Sequence, residues 1–196
     1  MELKSLAGIG FETLYDAFAK AFTDYEVRID GPQLQKMLRR RGFVPELSFA
    51  AFEGEQITAF TLNGIGNYDG VSTAYDTGTG TLKEYRGTGL ATEIFRHSMP
   101  HLRRAGVGQY LLEVLQHNTR AVSVYRNLGF ETVREFNYFY RSNTEIADRG
   151  DTPRLPHSVR RTDPEKFASI SSFWDFTPSW QNSFEAIGRA AGDFVS

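Results

Sequence analysis

Residues 86–91, Arg-Gly-Thr-Gly-Leu-Ala, place a fixed positive charge beside two glycines at the start of an apolar pattern. The apolar residues that follow recur at helical spacing: Leu90, Ala91, Ile94 and Phe95. The first amides of a helix lack backbone acceptors and carry the positive end of the helix dipole. Because Gly87 and Gly89 have no side chains, the backbone of the turn can face a large group. The stretch therefore predicts a helix N-terminus that binds an anion such as a phosphate.

Two common nucleotide-binding loops do not fit this turn. The dinucleotide pattern G-x-G-x-x-G requires a third glycine at position 92, where the chain has Thr92, and a Val/Ile-rich strand before it, which is polar here. The P-loop pattern requires G-K-[ST], which is absent. Binding of ATP or NAD through the same turn stays open as an alternative.

A second group of spaced residues lies downstream: Asn118, Ala121, Tyr125 and Gly129-Phe130. Arg86, Gly89 and Ala91 match R-x-x-G-x-A, and the downstream group matches N-x-x-A-x-x-x-Y-x-x-x-G-F. Together the two motifs resemble those of the GNAT-type N-acetyltransferase superfamily, in which one helix and one strand separate them. The resemblance covers about residues 3–141.

The resemblance implies a mixed α/β fold with a central sheet of six to seven strands, about four flanking helices and a C-terminal helical extension. It implies an N-acetyltransferase that moves an acetyl group from acetyl-CoA, as co-substrate, to a primary amine by direct attack and without a metal. Backbone groups are expected to hold the pyrophosphate at Arg86, Gly87, Thr88, Gly89, Leu90, Ala91 and Thr92, and the pantetheine arm at Thr79 and Thr81. Asn118 either contacts the pantetheine or only caps a helix, and Gly87 could serve the turn geometry alone.

The resemblance also places Tyr125 near the thioester sulfur, where its phenol can donate to the departing thiolate. Ordinary pKa values of about 8.5 for a thiol and about 10 for a tyrosine make full proton transfer uphill by roughly 2 kcal/mol. A hydrogen bond that strengthens in the transition state is therefore as suitable as formal acid catalysis. The alternative is a tyrosine that merely packs in the core.

Glu113 is the candidate base for the acceptor amine. It is the only carboxylate in the apolar segment Gln109–Gln116, which predicts a central strand, and burial there would raise its pKa. Asp76, Glu84 and His117 are the rival groups, and water chains replace a single base in some members of the superfamily.

The resemblance also implies that acceptor-binding residues lie in the loop between the first two helices and in the last hairpin. The residues predicted for this role are Asp24, Tyr25, Asp76 and Tyr138, with Glu26, Asp30, Phe136 and Tyr140 beside them. The loop carboxylates could equally be solubility residues. The acceptor is a small-molecule or peptide amine that the sequence does not identify, and a non-catalytic acyl-CoA sensor or scaffold is the alternative function.

Hydrophobic periodicity and turn residues predict the elements that position these groups. Strands are expected at Leu3–Leu6, Glu46–Glu53, Gln56–Ile65, Val71–Leu82 and Gln109–Gln116, with a terminal hairpin at Phe130–Val133 and Glu135–Arg141. Helices are expected at Phe11–Phe22, Pro32–Arg41, Ala91–Arg104 and Arg120–Leu128. Pro100 should kink the third helix or end it early.

The chain is expected to divide into a catalytic domain at residues 1–141, a polar linker at 142–156 and a helical extension at 157–196. The extension carries both tryptophans, Trp174 and Trp180, and is too short for a core of its own. It should therefore dock on the main domain or on another chain, such as a homodimer partner, or begin a second, incomplete GNAT-like domain.

Composition excludes several other classes. A hydrophobic fraction of 40% in 196 residues can fill a core, and a net charge of -2 gives no general attraction to nucleic acid. No apolar run is long enough to span a membrane, and the absence of cysteine excludes thiol nucleophiles and fits a cytoplasmic protein. The basic runs Arg39-Arg40-Arg41 and Arg103-Arg104 are interpreted as solvated helix ends.

Overall fold

The computed structural model describes residues 1–25, 28–137, 139, 166, 169 and 172–193. The strands are β1 (Glu2–Ser5), β2 (Phe49–Glu53), β3 (Gln56–Tyr68), β4 (Val71–Thr81) and β5 (Gln109–Leu111). The helices are α1 (Phe11–Ala21), α2 (Gly31–Arg41), α3 (Leu90–Arg104), α4 (Thr119–Asn127) and α5 (Phe184–Arg189). Short 3-10 turns lie at Pro45–Leu47, Lys83–Tyr85, Trp180–Asn182 and Ala191–Asp193.

The five strands form one mixed sheet in the order β1-β2-β3-β4-β5. Neighbours are antiparallel from β1 to β4, and β5 runs parallel to β4. Helices α1 and α2 bury their apolar faces on one side of the sheet, in a core that includes Leu14, Phe18, Leu34, Phe60 and Leu62. Helix α3 covers the other side through Leu90 and Ile94, which pack on Phe49, Ala51 and Ala59. The predicted mixed α/β class is confirmed.

Local sequence explains why the helices begin and end where they do. Helix α1 buries Leu14, Ala17, Phe18 and Ala21, which recur at three- and four-residue spacing. Helix α2 begins with a capping box between Asp30 and Gln33, and Gly42 ends it in the left-handed conformation at φ 75°.

The expectation of six to seven strands is wrong for the described part of the chain, which forms five. Residues 130–137 contain no strand, so the predicted terminal hairpin does not form over them. Its remaining residues Tyr138, Tyr140 and Arg141 lie outside the described residues. Apolar and aromatic residues in a short run raise strand propensity, but pairing needs a neighbouring strand edge.

The fifth strand is shorter than predicted and lies at the edge of the sheet formed by the described residues. It covers Gln109–Leu111 rather than Gln109–Gln116, and it pairs with β4 over three residues, from Thr73↔Gln109 to Tyr75↔Leu111. Immediately beyond this pairing the β3–β4 register shifts, which leaves Thr77 as an extra residue in β4. Because a β-bulge bends its strand, β4 leaves β5 at this point.

Helix α3 does not end early at Pro100, since it continues to Arg104. A proline inside a helix removes one backbone hydrogen bond and crowds the preceding turn. Apolar burial on both sides of it, at Phe95 and Leu102, offsets that cost.

Residues 177–193, called the C-terminal segment below, dock on α2 and on the ends of β3 and β4. Trp180 is 2% exposed and stacks on Tyr75 at a centroid distance of 5.2 Å. The basic run Arg39-Arg40-Arg41 is not only a solvated helix end. Each arginine bonds to this segment, to Asp193, to the Gln181 carbonyl and to the Gln181 side chain, respectively, although the Arg39 side chain stays 54% exposed. The division into domains and the homodimer remain predictions.

Candidate active site

A cleft of about 690 Å³ opens where β4 and β5 separate. Beyond Tyr75, no strand among the described residues pairs with the outer edge of β4. Six of the residues predicted from sequence line this cleft: Tyr25, Asp76, Thr79, Glu113, Asn118 and Tyr125. The strand separation expected near Thr79 is therefore present and leaves backbone groups of β4 free for a ligand.

The centre of the cleft is a hydrogen-bonded cluster of three side chains. The Tyr125 hydroxyl donates to Asp76 Oδ2 at 2.9 Å, and the Thr79 hydroxyl donates to the same oxygen at 2.9 Å. Residues three apart on a regular strand face opposite sides of the sheet. The extra residue Thr77 changes that alternation, so Asp76 and Thr79 share one face.

Burial controls the protonation of this cluster. Desolvation raises the pKa of Asp76, although hydrogen bonds from Thr79 and Tyr125 oppose the rise. Burial, reinforced by the Asp76 charge, also raises the pKa of Tyr125, so the phenol keeps its proton at neutral pH. Asp76 Oδ1 is buried and has no hydrogen-bond partner among the described residues. An unsatisfied buried oxygen of this kind makes the charged carboxylate costly.

Glu113 lies past the end of β5 and is exposed, so the expectation of a desolvated carboxylate in a central strand is wrong. Its two oxygens accept hydrogen bonds from the Trp180 amide at 3.2 Å and from Gln181 Nε2 at 3.1 Å. Glu113 thus lines the cleft while holding the C-terminal segment. Its role as general base stays a prediction.

The turn before α3 has the open backbone that the glycines predict. Gly87 and Gly89 have φ values of 85° and 88°, and Gly89 caps the helix. A Cβ built on Gly89 would meet no atom within 4 Å. None of the described residues accepts a hydrogen bond from the amides of residues 87–92. Several unpaired donors and open space therefore coincide at the positive end of a helix.

The Arg86 side chain points into the protein rather than towards the open space. Its guanidinium donates to Asp24 Oδ2 at 2.8 Å, to the Ala21 carbonyl at 2.9 Å and to the Thr81 carbonyl at 3.2 Å. This hydrogen bond from Arg86 lowers the pKa of Asp24. Arg86 therefore ties the end of α1 to the turn, and Asp24, predicted to attract the acceptor amine, is its partner.

Arg120, in the first turn of α4, is the cation that faces the turn. Its Nη2 lies 3.7 Å from the position that a Cβ on Gly87 would take. Among the described residues it has no hydrogen-bond or ion-pair partner. Its place two residues after the Asn118 cap, in the first turn of the helix, is the signal that could have identified it.

Asn118 has the capping role that the sequence left open. Its Oδ1 accepts from the Ala121 amide at 3.2 Å, and its Nδ2 donates to the Tyr25 hydroxyl at 3.4 Å. Because it also lines the cleft, capping and ligand contact are compatible.

Three residues that sequence reasoning missed complete the far side of the cleft: Arg41, Tyr75 and Gln181. Arg41 donates to the Thr77 carbonyl at 2.7 Å and to Gln181 Oε1 at 2.9 Å. Burial raises the pKa of the Tyr75 phenol. Phe136 does not line the cleft, and Tyr138, Tyr140 and Glu26 lie outside the described residues.

Two further features concern metals and membranes. Within the described ranges, no three or more histidine or carboxylate side chains are grouped as a metal site would require. Every described helix is too short or too polar to cross a bilayer.

Comparison with curated proteins gives distant relatives. The N-alpha-acetyltransferase 30 of Schizosaccharomyces pombe is 28% identical over 102 residues, which make up 52% of this chain and 68% of that protein. The curated relatives are covered over 35% to 68% of their own lengths.

Solved structures share the fold at low sequence identity. The ribosomal-protein-S18-alanine N-acetyltransferase from Escherichia coli has a TM-score of 0.58 over 73% of this chain and 85% of that chain, at 18% identity. The NatC complex bound to Gag peptide and CoA gives 0.56 over 68% and 87%, at 17% identity.

A family model covers more than half of the sequence. Residues 11–130 match the acetyltransferase (GNAT) family, and they contain both the glycine-rich turn and Tyr125. The predicted class of enzyme, a GNAT-type N-acetyltransferase, is thus confirmed, and this chain belongs to the acetyltransferase (GNAT) family.

Proposed function

We propose that this protein transfers an acetyl group from acetyl-CoA directly to a primary amine. The observation that carries the proposal is the Tyr125 phenol in the cleft between β4 and β5, at 2.9 Å from Asp76. The relatives' names make peptide N-terminal amines the first acceptors to assay. A cytoplasmic location belongs to the same proposal and rests on composition alone.

The groups that would hold acetyl-CoA are backbone amides and one arginine. The amides of residues 87–92 are unpaired among the described residues, and a Cβ on Gly89 would meet no atom within 4 Å. They suit the pyrophosphate, with Arg120 rather than Arg86 supplying the charge. The edge of β4 at Thr79, unpaired among the described residues, suits the amide groups of the pantetheine arm, whereas the Thr81 carbonyl already accepts a hydrogen bond from Arg86.

Tyr125 has the protonation state that a proton donor needs. When bound, acetyl-CoA supplies a thioester whose acetyl group passes to the amine and whose sulfur leaves in need of a proton. Burial raises the pKa of Tyr125, so this phenol serves by donating a hydrogen bond that strengthens as charge develops. Asp76 orients the phenol, and in its protonated form it donates to the Tyr125 oxygen and frees the phenol proton.

The decisive assay measures free CoA released from acetyl-CoA after a peptide, an amino acid, a polyamine or an aminoglycoside is added. Turnover that depends on the amine supports the proposal, whereas acetyl-CoA binding without turnover supports a sensor. Tyr125→Phe should lower kcat by about 10²-fold while the Kd of acetyl-CoA is kept. Tyr110→Phe is the matched control, because Tyr110 is a buried phenol that bonds to Asn63 and does not line the cleft. An unchanged kcat in Tyr125→Phe would exclude the donor role.

A further inference from the structure

The C-terminal segment contributes a side chain to the cleft as well as a docked tryptophan. Gln181 lines the cleft and bridges two charged residues that come from different elements. Its Oε1 accepts from Arg41 Nη2 at 2.9 Å and from Arg41 Nε at 3.2 Å, and its Nε2 donates to Glu113 Oε2 at 3.1 Å. The amide therefore fixes a cation and an anion at one end of the cleft.

The position of Gln181 is set by the residues on both sides of it. Trp180 is buried against Tyr75, and its indole Nε1 donates to the Arg41 carbonyl at 3.0 Å. Further along, Glu185 Oε2 accepts from the Asn67 amide at 2.9 Å, and Arg189 Nε donates to the Arg40 carbonyl at 3.0 Å. With anchors on each side, Gln181 has little freedom to leave the cleft.

Arg41 and Gln181 together carry more N–H donors than the hydrogen bonds among the described residues use. A guanidinium carries five N–H groups and a carboxamide two. Three of the Arg41 nitrogens bond to Thr77 and Gln181, and one N–H of Gln181 bonds to Glu113. The N–H groups left over suit a carbonyl or carboxylate oxygen, an acceptor that a protonated polyamine does not carry.

We propose that Gln181, held by Arg41 and Glu113, is a specificity-determining residue that selects acceptors with an oxygen acceptor close to the amine, as in a peptide backbone, over polyamines. The proposal rests on the proposed function, because it assigns the acceptor end of the same cleft. The C-terminal segment thus contributes to acceptor binding as well as to stability.

The kinetic test compares Gln181→Ala with Asn182→Ala. Asn182 is the adjacent amide of the same segment, but it is exposed, bonds to Arg40 and does not line the cleft. With a neutral tetrapeptide amide as acceptor, Gln181→Ala should raise the acceptor KM about tenfold and leave the acetyl-CoA KM unchanged. Asn182→Ala should change neither. Equal effects of the two variants, or a shift in the acetyl-CoA KM instead, would overturn the proposal.

A second acceptor supplies the specificity readout. Gln181→Glu adds a negative charge beside Arg41, so it should raise kcat/KM for spermidine relative to the tetrapeptide. Wild-type protein that prefers spermidine to the tetrapeptide would contradict the assignment.

A binding measurement separates this proposal from the proposed function. In a Trp174→Phe background Trp180 is the sole tryptophan, and its fluorescence reports on the corner next to Gln181. The tetrapeptide should change the emission, and Gln181→Ala should weaken that binding while Asn182→Ala does not. A fluorescence response without CoA release would refute catalysis and keep the acceptor site, and no response would refute the site.

Discussion

The glycine-rich turn at residues 86–92 lies outside the lining of the cleft, whereas the C-terminal segment contributes Gln181 to it, and the two regions are built in opposite ways. The turn uses consecutive residues whose amides are free because Gly87 and Gly89 have no side chains. The segment uses side chains, and Gln181 meets Arg41 from 140 positions away in sequence. A site made of local backbone is visible as a motif, whereas one made of distant side chains is not.

The largest expected effect is a loss of stability when the C-terminal segment loses its buried tryptophan. Trp180→Ala removes a fully buried indole and its hydrogen bond to Arg41, so it should lower the free energy of unfolding by about 3–5 kcal/mol. Urea unfolding measures the loss, and titration calorimetry should give an unchanged Kd for acetyl-CoA if the protein is kept at low temperature.

Trp174→Ala is the matched control for that change. Trp174 is half-buried and stacks on Phe184 at 4.2 Å within the C-terminal part of the chain. Its removal should cost clearly less stability. A loss as large as that of Trp180→Ala would mean that the buried indole is not the main anchor.

In the glycine-rich turn, a single added methyl group should weaken the binding of acetyl-CoA. Gly89→Ala places a methyl group in the open space beside the amides of residues 87–92, which are unpaired among the described residues, so it should raise the Kd of acetyl-CoA about tenfold. The alanine at φ 88° should also cost about 1–2 kcal/mol of stability. Gly106→Ala is the control, because it has φ 79° and open space at the other end of α3. Calorimetry should find weaker binding in the first variant alone. Equal affinities would exclude the turn as the phosphate site.

The smallest effect is a difference in the sign of pH dependence between two carboxylates, Asp76 in the cleft and Asp24 beside the turn. Folding raises the pKa of Asp76. The free energy of unfolding is therefore highest below the ordinary pKa of 3.8, where this carboxyl is protonated in both states, and it falls as the pH rises. Asp76→Asn should therefore melt like wild type near pH 4 and at a higher temperature than wild type at pH 8, because only the wild type must then bury a charged carboxylate.

Asp24, which pairs with Arg86 beside the turn, should behave in the opposite way. Its pKa is lowered on folding, so the stability it contributes is present above its ordinary pKa and is lost as pH falls. Asp24→Asn should thus melt below wild type at pH 7, and the difference should vanish in acid. Thermal melts across this range in which both variants shift in the same direction would contradict the assigned environments.

Motifs and periodicity were sufficient to predict the turn before α3, the cap of α4 and most of the helices and strands. The strand–turn–helix around Gly89 and the cap at Asn118 follow from local chemistry, and both are present. The sequence predicts too much burial for Glu113. Apolar residues on both faces of Gln109–Gln116 favour a long central strand, but the observed strand ends at Leu111. The inward turn of Arg86 and the role of Arg41 depend on partners elsewhere in the chain, which no local pattern reveals.

The extra residue Thr77 reverses which side chains of β4 point to each face of the sheet. Upstream of it, the even-numbered residues share the face of Asp76, and downstream the odd-numbered residues share the face of Thr79. A deletion of Thr77 would therefore break the pair that holds Tyr125 without changing any of its members. An ungapped alignment to a relative with a regular strand would likewise assign the partner of Tyr125 to the wrong side of the sheet.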